Sequence, residues 1–361
     1  MARKKIITVL GARPQFIKAS VVSEEIKKNK ELEENIIHTG QHFDKNMSDV
    51  FFKELSLDVP KYNLAISGLT HGALTGRMLE GIEKILIKEK PSLVLVYGDT
   101  DSTLAGSLAA SKLDIPVAHV ESGLRSRNFL MPEEKNRIIT DALSQLLFCP
   151  SNLAVQNLKK ENITEGVTQV GDVMLDIMNL RKKNIHDEMF IKELELDKKA
   201  YALCTIHRKE NTNDLKRLKS IFSALSSISK QIKVILPIHP RTKKILEENK
   251  IKIGPDVIIV EPLAYLDFLK LQLNSKRILT DSGGLQKEAF FNSIPCITLR
   301  DETEWIETVQ SGWNIIAGAE SANIEEAWFN LDKQSRKEDY HPYGQGDASK
   351  KIVNSIKTYL L

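Results

Sequence analysis

Cysteine is scarce in this chain of 361 residues: three occur, Cys149, Cys204 and Cys296, each inside an apolar segment and none in a CxxC spacing. That excludes a disulfide frame and a zinc ribbon, and reads as small buried hydrophobes in a reducing, cytoplasmic compartment. No apolar run approaches the roughly 18–20 residues that span a bilayer, so no membrane association is expected. Basic Met1–Lys5 runs straight into Ile6–Leu10, which reads as a strand rather than as the apolar core of a leader. Charge of one sign is also lacking. The formal net charge is +3, with acidic and basic residues mixed along the chain, so there is no electrostatic footprint for a nucleic acid. GxGxxG and HExxH are absent, and with them the nicotinamide fingerprint and the metalloprotease zinc spacing.

What is present is a repeating alternation. Ile6–Leu10, Asn35–His38, Ser92–Tyr97, Pro116–Val120 and Leu146–Cys149 are short apolar runs. Helical stretches such as Thr75–Lys88 and Thr103–Leu113 lie between them. Runs that are apolar throughout suit parallel strands covered on both faces. The alternation restarts with Ala202–Ile206, Val234–Ile238, Val257–Val260, Arg277–Leu279 and Pro295–Thr298. Polar Arg181–Lys199 is the expected join. The expectation is α/β, with two Rossmann-like domains facing a cleft: 1–180 and 181–348. The amphipathic stretch Ser349–Leu361 is a further helix, with Ile352, Val353, Ile356 and Leu360 as its stripe.

In doubly wound sheets, ligands bind beyond the carboxyl ends of the strands, so the polar residues there matter most. Thr280-Asp281-Ser282-Gly283-Gly284 follows a strand and precedes a helix expected at Leu285–Phe291. Two glycines admit an anion close to the backbone, and a helix start supplies unpaired N–H groups. An ordinary N-cap at Ser282 or Asp281 explains the same residues. Glu288, one turn on, can accept from a ribose hydroxyl. Arg13 follows the first strand in Gly11-Ala12-Arg13-Pro14, with Lys18 one turn later, and both can hold phosphate charge. Asp99, Glu121 and Glu133 end neighbouring strands or follow closely. Carboxylates packed together have raised pKa values suited to proton transfer; a divalent cation is the rival explanation. His207 and His239, each followed by an arginine in sequence or one residue later, read as a polyanion-binding rim.

Taken together and in this order, these segments resemble the non-hydrolysing UDP-N-acetylglucosamine 2-epimerases over essentially the whole chain. Thr39-Gly40-Gln41-His42, His119–Arg125, Pro132-Glu133-Glu134 and Asn136-Arg137 add to the match. The resemblance implies a glycosyltransferase-B-like fold, a homodimer, no cofactor and no metal. It also implies that helix 349–361 returns to the first domain. The implied reaction is inversion of C2 of a UDP-2-acetamido sugar by elimination and re-addition of UDP, supplying surface-polysaccharide precursors. It assigns Asp99, Glu121, Glu133 and His207 to catalysis. Arg13, Lys18, His239, Ser282, Gly283, Gly284 and Glu288 fall to UDP, and Arg137 and Glu304 to the sugar. Thr303-Glu304-Trp305-Ile306-Glu307 departs from the Thr-Glu-Arg-Pro-Glu of many bacterial members. It resembles instead the subfamily acting on UDP-2,3-diacetamido-2,3-dideoxy-glucuronate, for whose carboxylate Arg127 or Lys135 offers a cation. Asp44 stands where some members with a second, activating substrate site have glutamine. A glycosyltransferase of the same fold is the alternative, with the acidic trio against it.

Overall fold

A computed structural model describes residues 3–41, 52, 55, 57–182, 196–238, 240–263 and 265–361. The chain divides into two compact units, Met1–Leu180 with His341–Leu361, and Arg181–Tyr340.

The first unit is built on seven strands: β1 (Lys4–Leu10), β2 (Leu32–His38), β3 (Tyr62–Asn63), β4 (Leu93–Tyr97), β5 (Val117–Val120), β6 (Leu146–Cys149) and β7 (Val167–Gln169). They run in the order β3-β2-β1-β4-β5-β6-β7, every pair parallel. Every residue of β4 and β5 is buried. Their solid apolar runs follow from that, because helices cover both faces. Helices α1 (Arg13–Lys27), α2 (His71–Glu89), α3 (Asp101–Lys112), α4 (Pro132–Leu143), α5 (Asn152–Lys160) and α6 (Val173–Lys182) supply the crossovers. One apolar core joins Ile7, Val9, Val94 and Val96 to Met78, Ile82, Ala105 and Ala109.

The C-terminal helix Ala348–Leu360 belongs to this unit and packs on α1. Ile352, Val353 and Ile356 are buried. Its start is held by buried Asp176 of α6, whose carboxylate accepts from the Ala348 N–H (3.1 Å), the Ser349 N–H (2.7 Å) and the Ser349 hydroxyl (2.6 Å). Those are donors that a helix start otherwise leaves unsatisfied.

The second unit has six strands: β8 (Tyr201–Thr205), β9 (Lys233–Pro237), β10 (Val257–Val260), β11 (Arg277–Thr280), β12 (Cys296–Thr298) and β13 (Asn314–Ile316). Their order is β10-β9-β8-β11-β12-β13, again all parallel. Separate apolar clusters cover its two faces, one around Phe222, Leu225 and Trp328, the other around Tyr201, Leu271 and Ala289. The α/β reading with two parallel sheets therefore holds. The sequence expectation omitted β3, β7 and β13, strands of two or three residues at sheet edges. So short a run has no period to detect, and the exposed Thr168 and Gln169 of β7 carry no apolar signal.

Candidate active site

The strand orders locate a switch point in each sheet, between β1 and β4 in the first and between β8 and β11 in the second. The crevice at the carboxyl ends of the strands flanking such a point is where doubly wound sheets bind ligands. Arg13 and Asp99 follow the flanking strands β1 and β4 of the first sheet, and His207 and Ser282 follow β8 and β11 of the second.

In the first unit, Gln15 joins the two sides of the switch. Its side-chain carbonyl accepts from the N–H groups of Gly11 (2.8 Å) and Ala12 (3.0 Å). Its amide nitrogen donates to the Tyr97 carbonyl (2.7 Å) and the Thr103 hydroxyl (2.9 Å). This fixes the β1–α1 turn, and so Arg13 at the first position of α1, against the end of β4. Gly98 has φ +63°, and a Cβ there would lie 3.3 Å from the Glu121 carboxylate. Glu121 itself has φ 76°, a left-handed conformation that a non-glycine residue keeps only when its surroundings enforce it. Glu121 is buried and ion-paired with Lys18.

The remaining carboxylates each have a defined neighbour. Buried Arg137 donates to Asp99 (2.5 Å) and to Glu134 (2.8 Å). Glu134 also accepts from the Ser126 N–H (2.9 Å), the Ser126 hydroxyl (3.0 Å) and the Arg127 N–H (2.8 Å). Burial pushes the Glu134 carboxyl up, but those backbone bonds and Arg137 outweigh it and hold the group below the usual range. Asn136 donates to the Asp99 carbonyl (2.9 Å) and to Asp101 (3.2 Å). Glu133 is half-buried in the first turn of α4, where the helix start favours an anion.

Two expectations change here. The carboxylates were expected to raise one another's pKa as an unpartnered group. Instead Lys18 sits on Glu121 and Arg137 on both Asp99 and Glu134, so each of these carboxylates has a cation against it. Lys18, expected on phosphate, is placed beside the carboxylate, and Arg137, expected on the sugar, forms a clamp. Arg127 and Lys135 are exposed. Gln15, Asn136 and the buried Glu134 were not singled out as site residues. A polar side chain on an otherwise buried helix face is the signal that marks them.

In the second unit, Asp281 is fully buried at the end of β11 and organises the loop after β8. Its carboxylate accepts from the N–H groups of His207 (3.0 Å) and Arg208 (3.0 Å) and from the Asn211 amide (3.1 Å). The exposed His207 side chain is thus carried on a backbone pinned to β11. Asp281 is therefore a loop anchor, and Ser282 is the N-cap, accepting from the Leu285 N–H at 3.4 Å. Helix α7 spans Gly283–Phe291, so both glycines lie inside its first turn rather than ahead of it. Glycine's poor helix propensity accounts for the later start expected from sequence. Gly283 packs against the Glu304 carboxylate, and a Cβ on it would lie 3.1 Å from the indole nitrogen of Trp305. Glu304 pairs with buried Arg300 (3.0 Å). Buried Trp305 carries the Lys287 ammonium 3.8 Å above its ring, so it is part of the packing behind Gly283. Glu288 is buried on the same helix. His239 lies outside the described residues.

The arrangement offers carboxylates beside cations in the first unit. In the second it offers a side-chain-free helix start next to an exposed histidine. Among the described residues no three His, Cys, Asp or Glu side chains are grouped to hold a metal ion, and no helix is long and apolar enough to cross a membrane.

Comparison with known proteins bears on both halves. The sequence profile of the family described as UDP-N-acetylglucosamine 2-epimerase matches residues 24–357. A UDP-N-acetylglucosamine 2-epimerase homolog of Methanococcus maripaludis is 49% identical, over 98% of this chain and 99% of the relative. The UDP-2,3-diacetamido-2,3-dideoxy-D-glucuronate 2-epimerase of Pseudomonas aeruginosa is 48% identical, over 98% and 99%. Among solved structures, the Methanocaldococcus jannaschii UDP-GlcNAc 2-epimerase in complex with UDP-GlcNAc and UDP superposes with a TM-score of 0.91. It is 44% identical and is covered to 99%, against 98% of this chain.

Proposed function

The chain belongs to the UDP-N-acetylglucosamine 2-epimerase family, and we propose that it inverts C2 of a UDP-2-acetamido sugar by eliminating UDP and adding it back. The observation that carries this reading is the placement, at the first unit's switch point, of Asp99 and Glu121 beside Gly98, each with a cation against it. A carboxylate kept ionised by a neighbouring cation is a competent base, and a lysine paired with it supplies the return path for the proton. Glu121 takes or returns the C2 proton on one face, and Asp99 and Glu133 serve the other steps of proton transfer.

The departing group is a diphosphate whose charge grows as the C1–O bond breaks. The first turn of α7, with no side chain at Gly283 or Gly284, offers N–H groups to that charge, and such donors act most strongly when fixed in advance. In the proposal Ser282, Gly283, Gly284 and His239 hold the diphosphate, His207 contacts it as it leaves, and Glu288 takes the ribose; Arg13 is the first unit's own phosphate candidate. Lys18 serves Glu121 instead of phosphate. Arg137 and Glu304 act on the sugar through the pairs they form rather than as free donors. The reaction changes no oxidation state overall, so neither nicotinamide nor metal enters the scheme. A homodimer, a cytoplasmic location and a role in supplying surface-polysaccharide precursors belong to the same proposal.

The substrate is a UDP-2-acetamido hexose or its 2,3-diacetamido uronate counterpart; the near-equal identity to relatives named for each supports the class. A glycosyltransferase of this fold needs the diphosphate grip but has no use for the paired carboxylates at the first switch point.

Glu121→Gln tests the assignment. Wild-type enzyme should interconvert the C2 epimers. The variant should lose turnover by at least about 10²-fold, the scale of a general acid–base contribution, while UDP binding in calorimetry is retained. Wild-type turnover in the variant removes Glu121 from the chemistry.

A further inference from the structure

Beneath the Asp99 and Glu121 turns lies a fully buried histidine that the scheme above does not use. His119 is the third residue of β5, in a strand whose every other member is apolar. Its Nε2 is 2.7 Å from the Gly98 carbonyl oxygen, and its Nδ1 is 2.7 Å from the Asp141 carboxylate of α4. A carbonyl oxygen only accepts, so Nε2 must carry a hydrogen. The other oxygen of Asp141 accepts from the Arg125 guanidinium (2.7 Å) and from the Gly123 N–H (3.1 Å). A carboxylate met by that many donors is ionised, so Nδ1 carries a hydrogen as well. With both ring nitrogens donating, the ring is an imidazolium.

Its surroundings support a charge there. Asp141 faces it from α4 and Arg125 from the turn after β5. Glu161, beyond α5, pairs with Arg125 at 2.6 Å. Cys149 of β6 reaches the group through Ser122, its thiol pushed up to about 12 by burial, so it stays neutral. Burial opposes ionisation of Asp141, yet its bonds to His119 and Arg125 hold its carboxyl below the usual range. The four charged groups, His119, Asp141, Arg125 and Glu161, sum to zero, so the cluster carries no net charge into the core.

The Gly98–Asp99 peptide is trans, so its carbonyl and N–H point in opposite directions. Drawing the carbonyl down onto His119 turns the Asp99 N–H upward and fixes Gly98 at φ +63°, with Glu121 against it. We propose that His119 is a positioning residue which, donating from both ring nitrogens, sets the Gly98–Asp99 turn beneath Asp99 and Glu121. The charge itself is independent of the epimerase reading; its kinetic consequence rests on that reading.

Wild-type protein labelled with 15N-histidine decides the charge. Both His119 ring nitrogens should show the chemical shift of a protonated nitrogen, since each faces an acceptor. One unprotonated nitrogen overturns the assignment. His119→Gln decides the positioning role. It should lower kcat by about 10²-fold, the order expected when reacting groups move by an ångström, with UDP affinity unchanged. It should also move the acidic limb of the pH–rate profile upward, because carboxylates deprived of a cation protonate more readily. A folded variant with an unmoved acidic limb overturns the positioning role. Should it not fold, Asp141→Asn, which keeps the imidazole but removes its anion, must move the same limb or the role is lost.

Discussion

Gly283 and Gly284 are adjacent and identical, yet their surroundings differ. Gly283 is enclosed by Glu304 and Trp305, whereas a Cβ on Gly284 would meet only its neighbour Ser282, 3.8 Å away. The same substitution should therefore act differently at the two positions. Gly283→Ala must push the buried Glu304 carboxylate aside and should destabilise the fold by about 1–3 kcal/mol, as overpacking does. Gly284→Ala meets no obstacle and gains helix propensity, up to about 1 kcal/mol. Its methyl group nevertheless stands on the open side of the helix start, where the proposal puts phosphate. Thermal unfolding should separate the two variants, while UDP titration should show weakened binding in both. Unweakened UDP binding by Gly284→Ala would remove the open helix start from the diphosphate site.

At the scale of elements, the C-terminal end of α2 is tied to the sheet through one carboxylate. Glu89 accepts from Lys5 of β1 (2.6 Å), from Lys61 just before β3 (2.8 Å) and from Tyr62 of β3 (2.5 Å). The bonds from Lys5, Lys61 and Tyr62 lower its pKa to about 2. A depressed carboxylate contributes stability that is present above its unfolded value, about 4.3, and lost as pH falls through about 2. Glu89→Gln should lower Tm at neutral pH, and the difference from wild type should shrink as pH falls from about 4.3 toward 2. A gap that stays constant across that range would show that the charge contributes nothing.

Elements also mark where sequence reading stops. The central strands were legible because burial on both faces makes them solid apolar runs. The edge strand Tyr62–Asn63 was not, since two residues paired to Ile37 and His38 leave no pattern. The N-cap of α3 is Thr100, whose hydroxyl accepts from the Thr103 N–H at 3.3 Å, so Asp99 does not cap that helix. Asp281 and Ser282 looked interchangeable as caps. Only the fold shows that one anchors the His207 loop and the other caps the helix. Lys18 was legible as a cation at a strand end, but its partner Glu121 is 103 residues away, and no local spacing reveals that pairing.

For the whole molecule, two parallel sheets, each with its candidate residues at its own switch point, carry the account. The family was legible from ordered motifs spread along the chain, because each motif is a strand end and strand order is fixed by the fold. The sugar was not, since Trp305, the departure that drew attention, is buried under Lys287 and belongs to the packing of the second unit. Arg127 and Lys135 are exposed, and as cations they are the candidates to test against a uronate. The central claim is proton exchange at C2 with loss and return of UDP. It is tested most directly by incubating the enzyme in D₂O with UDP-GlcNAc and, separately, with the UDP-2,3-diacetamido uronate, followed by proton NMR. The account predicts that at least one of them acquires deuterium at C2 while its C2 epimer appears. Neither substrate exchanging its C2 hydrogen at high enzyme concentration would contradict it.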